Sequence, residues 1–99
     1  LYNVELNYKA IMPTISMFYG IIVRIYFAPG EHNPPHIHVY YNEYTAVLDI
    51  TSCEITEGDL PSKQKKLALA WAELHKDELL ADWNLVMNGE QPFKIQPLQ

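Results

Sequence analysis

With one cysteine, Cys53, the chain has no internal disulfide, and folding without one fits a reducing compartment. Long hydrophobic runs are missing too. The richest stretch, residues 20–28, is interrupted by Arg24 and falls short of the roughly 18 apolar residues that a membrane-crossing helix needs. The first residues show neither the basic flank nor the apolar segment of a signal peptide, so the expected location is the cytoplasm. Positive charge is scarce: 7 Lys and Arg stand against 12 Asp and Glu, a net charge of −5. That balance disfavours broad electrostatic binding of nucleic acid and leaves room only for a local basic patch. The one dense positive run, Lys63, Lys65 and Lys66, reads as a solvated helix surface. What is present is apolar material. Hydrophobic residues make up 48% of 99 positions, enough for one domain around one core.

Period-two alternation of Tyr2, Val4, Leu6 and Tyr8 predicts an N-terminal extension strand within residues 1–11, and Met12-Pro13 reads as a second beginning. Residues 20–28, rich in Ile, Val, Tyr and Phe, predict a strand closed by Pro29-Gly30. Two more strands follow at 36–41 and 44–51, separated by Asn42-Glu43, a gap suited to a tight hairpin. Residues 53–56 predict a short edge segment before a turn at Glu57-Gly58-Asp59. Residues 61–89 are helical in character, with Pro61 suited to the first turn and Gly89 to the stop. Leu67, Trp71 and Leu74 share one helix face, whereas Leu79, Leu80, Trp83, Val86 and Met87 lie on another. The polar run His75-Lys76-Asp77-Glu78 marks the change, so either the helix bends or breaks there, or its two halves bury different faces, one of them against a second subunit. In the tail, 90–99, residues 93–95 read as a returning edge strand. The expected architecture is α+β: an antiparallel sheet of about four strands within residues 12–60, with a long or kinked C-terminal helix on one face.

Chemistry concentrates in Glu31-His32-Asn33-Pro34-Pro35-His36-Ile37-His38, which holds three of the four histidines. On a strand, His36 and His38 share a face and Tyr40 continues the row. If Asn42-Glu43 forms the hairpin loop, Tyr41 pairs with Tyr44, Tyr40 with Thr45, His38 with Val47 and His36 with Asp49. A facing carboxylate is suited to fixing a histidine tautomer. Arg24 and Tyr26 join the same face if their strand neighbours the hairpin in phase. Three readings compete. His32, His36 and His38, with Asp49 or Glu31, form a ligand set for a divalent transition metal such as zinc. His36, His38, Asp49 and Arg24 suit metal-free acid–base work on a phosphodiester. The third reading is a solvated or partner-binding strand face. Cys53 lacks a nearby histidine or second cysteine and is not expected to be a reactive thiol.

The segments Met-Pro-Thr-Ile-Ser from Met12, Glu-His-Asn-Pro-Pro-His-Ile-His-Val from Glu31, and Leu-Ala-Trp-Ala-Glu-Leu-His-Lys-Asp-Glu-Leu-Leu with the Trp83 that follows resemble a family of small bacterial proteins, domain of unknown function 4160. Its most specific feature, Pro-Pro-His-x-His, stands at Pro34, Pro35, His36 and His38. The resemblance implies membership of compact two-gene operons in the manner of toxin–antitoxin modules, with a small operon-partner protein or an RNA as target. The expected function is therefore an interaction module of toxin–antitoxin type whose His36/His38 face contacts a partner. The rivals are a small histidine-dependent nuclease and a metal-binding protein. The change of helix face and the alternating N-terminal segment predict a homodimer.

Overall fold

The computed structural model describes residues 13–26 and 33–99. The predicted strand within residues 1–11, and Glu31 and His32, lie outside the described residues. Five strands, β1 (Thr14–Phe18), β2 (Ile21–Arg24), β3 (His36–Tyr41), β4 (Tyr44–Asp49) and β5 (Glu54–Gly58), form one antiparallel sheet in chain order. Two helices follow, α1 (Ser62–Leu74) and α2 (Lys76–Met87). The α+β expectation holds, with five strands in place of about four.

The β3–β4 hairpin has the expected register, from Tyr41 opposite Tyr44 to His36 opposite Asp49, and Asn42 takes φ 50° in its two-residue turn. On β2, and on β3 as far as Tyr40, buried and half-buried residues alternate. Ile21, Val23, Ile37, Val39, Ala46 and Leu48 are buried beneath Trp71, Leu79 and Trp83, leaving the opposite side of the sheet to the polar set.

β1 is a strand that the alternation rule does not reveal. A bulge between Thr14 and Ser16 shifts its pairing with β2, so that adjacent Ile15 and Ser16 are both buried. A second bulge lies between Val47 and Leu48 in the pairing with β5, which runs from Glu54 to Gly58 instead of over the expected 53–56 and so takes in Glu57 and Gly58 of the expected turn. Cys53, at φ 56°, belongs to the preceding turn. At the end of β5 a Cβ on Gly58 would lie 2.1 Å from the Thr45 carbonyl oxygen, and its φ is +70°, so the backbone contact there depends on glycine.

The helical region breaks at His75, which departs from helical geometry at φ −114°, ψ 24°. The break lets Ala68, Trp71 and Ala72 of α1 and Leu79, Trp83 and Val86 of α2 enter one core cluster. The expected Leu67/Trp71/Leu74 face needs correction. Leu74 is 71% exposed, because the chain turns away immediately after it. After α2, Gly89 (φ 78°) donates its N–H to the Val86 carbonyl, and Glu90 N–H bonds the Leu85 carbonyl, closing the helix with a Schellman motif. The tail has no strand, but it is stitched in place. Ile95 N–H bonds the Ile15 carbonyl at 2.8 Å, the Trp71 indole N–H bonds the Gln96 carbonyl at 2.8 Å, and Asp82 Oδ1 accepts the Phe93 N–H at 2.9 Å.

Candidate functional site

The face of the sheet opposite the helices is built in rows by the strand register. Met17, Ile22, Tyr40 and Thr45 form one row. Arg24, His38, Val47 and Glu57 form the next. His36, Asp49 and Glu54 form the third. Tyr26, just beyond β2, leans across from its own strand line: its ring stacks on His38 with centroids 4.0 Å apart and planes 10° apart. The Tyr26 and Tyr40 hydroxyls share a hydrogen bond of 2.9 Å. The Arg24 guanidinium lies 5.4 Å from the Tyr40 ring centroid, and its Nε donates to Thr14 Oγ1 at 3.2 Å. His36 meets His38 edge-on at 5.3 Å and Trp83 of α2 at 5.0 Å. A continuous chain of rings therefore runs from Arg24 and Tyr40 through Tyr26, His38 and His36 to Trp83.

Of the predicted site residues, the structure brings Arg24, His36 and His38 together and places Asp49 opposite His36. Asp49 Oδ1 accepts the Ser52 N–H at 2.9 Å, which shapes the turn after β4. His36 Nδ1 lies 2.8 Å from the Pro34 carbonyl oxygen. A carbonyl only accepts, so this contact puts the proton of the neutral ring on Nδ1 and makes Nε2 its acceptor pole. On its Nδ1 side the ring is held by backbone. Among the described residues no group of three His, Cys, Asp or Glu side chains is arranged to hold a metal ion, and the third predicted ligand, His32, lies outside them. Burial pushes the Cys53 thiol up and neighbouring Glu73 acts in the same direction, which disfavours a thiolate.

Two neighbours of the site escaped the sequence reading. Trp83, whose helical spacing among apolar residues suits core or interface, is core, 3% exposed, and also a wall beside His36. Glu57 was read as part of a turn, whereas it pairs with Val47 beside His38. Finding it requires knowing the Val47/Leu48 bulge, which leaves no mark in the hydropathy pattern. Tyr26, His38, Tyr40, Thr45, Val47 and Glu57 line a shallow hollow of about 330 Å³.

The family described as domain of unknown function (DUF4160) matches residues 20–84, more than half of the chain and the whole run from β2 through most of α2. The chain belongs to this family. The match to DUF4160 includes the Pro-Pro-His-x-His segment, Tyr26 and Trp83, and thus most of the ring chain. No curated protein and no solved structure matches the chain. Among the described residues, no helix is long and apolar enough to cross a membrane.

Proposed function

We propose that this DUF4160 protein is a cytoplasmic, bacterial interaction module of toxin–antitoxin type, and that the His36/His38 face is its partner-binding surface. The observation that carries this reading is the interlocked set of side chains on the side of the sheet opposite α1 and α2. Tyr26, His38 and Tyr40 are held by stacking and a hydroxyl pair, so the surface is ordered before a partner arrives and loses little entropy on binding. Aromatic residues and arginine are the side chains that most often anchor protein interfaces. The operon association implied by the family resemblance supplies the partner, a small protein encoded beside this one. The test is co-expression. The adjacent gene product should co-purify with the wild-type chain and relieve or cause growth arrest in the pair, and Tyr26→Ala/His38→Ala should abolish both effects. Co-purification and growth effects indifferent to that double substitution would defeat the proposal.

A homodimer belongs to the same reading, since Leu74 and Phe93 are 71% and 72% exposed and offer apolar surface. Light scattering on the purified chain checks it, and a monomer at high concentration would count against it.

A second reading, a histidine-dependent nuclease, is favoured by one observation. His36 is held in the tautomer whose Nε2 accepts a proton, in the manner of a general base, with Arg24 one row away to hold phosphate. His36→Ala would then remove RNA cleavage while leaving the fold intact. RNA left uncleaved by the wild type, with and without added zinc, rejects this reading.

A further inference from the structure

The face of the sheet opposite α1 and α2 is divided by charge. Arg24 stands on the β2 side, engaged with Thr14 and Tyr40. Across the sheet, Glu57 is exposed and lines the hollow opposite the tyrosines, and among the described residues it makes no ion pair. A hollow walled by aromatic rings, with a carboxylate at its rim, matches a flat delocalised cation. A guanidinium packs against rings and donates two parallel hydrogen bonds to a carboxylate. The net charge of −5 acts in the same direction at long range, attracting basic partners and repelling a phosphate backbone. Beside Glu57, β5 pairs only with β4 among the described residues, so its outer edge offers backbone groups to an extended segment.

We propose that the partner of this face is a basic protein segment that lies along β5 and seats an arginine side chain in the hollow between Tyr26, Tyr40 and Glu57. The proposal rests on the reading of this face as an interaction surface and adds the chemistry of what binds there. The probe is a short blocked peptide of alternating Thr and Val around one arginine, compared with the same peptide carrying uncharged citrulline. Binding is followed by the ring signals of Tyr26 and His38 and the amide signal of Glu57. The arginine peptide should produce saturable shifts that weaken with added salt, and citrulline or Glu57→Gln should each weaken binding about tenfold. Equal binding of the two peptides, or no saturable shift, overturns the proposal. So does capture of single-stranded oligouridylate at these residues in place of the peptide. Concentration-dependent shifts of the same signals without peptide would assign the hollow to a second copy and overturn it as well. Glu57→Gln in the complex with the operon partner separates the two levels. Loss of that complex in Tyr26→Ala/His38→Ala alone leaves the interaction surface standing and removes the arginine. A complex unaffected by either variant removes both.

Discussion

At Tyr26 the ring has two jobs, stacking on His38 and pairing its hydroxyl with Tyr40. Tyr26→Phe keeps the first and removes the second, and is expected to cost about 1 kcal/mol of stability. Tyr26→Leu removes both and should cost roughly another 1 kcal/mol; urea unfolding of the three proteins separates the contributions. Gly58 is a harsher case. A methyl group there would meet a backbone oxygen at 2.1 Å in a left-handed conformation, so Gly58→Ala should cost more than about 2 kcal/mol, seen as a lowered denaturation midpoint. Asp82 supplies a pH signature. It is 2% exposed, its Oδ2 has no partner among the described residues, and burial raises its pKa above the ordinary 3.8, against the lowering effect of the Phe93 N–H. The folded state therefore holds this proton more tightly than the unfolded state. Its contribution to stability is complete below 3.8 and is lost as pH rises through the folded value. Urea titrations between about pH 4 and 7 should show Asp82→Asn losing less stability with rising pH than the wild type. Parallel curves for the two proteins would contradict this.

At the scale of elements, the hairpin was legible and the edge strands were not. His36 to Tyr40 alternates between polar and apolar positions, and the two strands are separated by two turn-compatible residues, so burial and turn geometry specify one register. Each edge strand carries a bulge, which inserts a residue and erases the period that the reading depends on. The break at His75 was legible because the apolar phase changes there. The exposure of Leu74 was not, since periodicity cannot say where a helix leaves the core. The site divides the same way. His36, His38, Asp49, Arg24 and Tyr26 follow from strand phase, whereas the Trp83 wall and Glu57 depend on tertiary packing and a bulge. The tail is an element in its own right despite lacking regular structure. Deleting residues 90–99 removes buried Ile95 and the acceptor of the Trp71 indole N–H, and should lower stability by more than about 2 kcal/mol in thermal or urea unfolding.

At the scale of the whole molecule, the two described helices and the tail pack on one side of a five-stranded sheet, Tyr26, His38 and Tyr40 lie on the other, and His36 at the start of β3 reaches Trp83 of α2. The break at His75 lets Ala68, Trp71 and Ala72 of α1 share a single core with Leu79, Trp83 and Val86 of α2, while Leu74 and Met87 stay exposed. The proposed binding role of the sheet face opposite these helices is the central claim. The most direct test is calorimetric titration of the purified chain with its operon neighbour's protein product, repeated with Tyr26→Ala/His38→Ala, after circular dichroism has shown that the variant still unfolds cooperatively. The account predicts that the folded variant binds at least about a hundredfold more weakly; an unchanged affinity would contradict it.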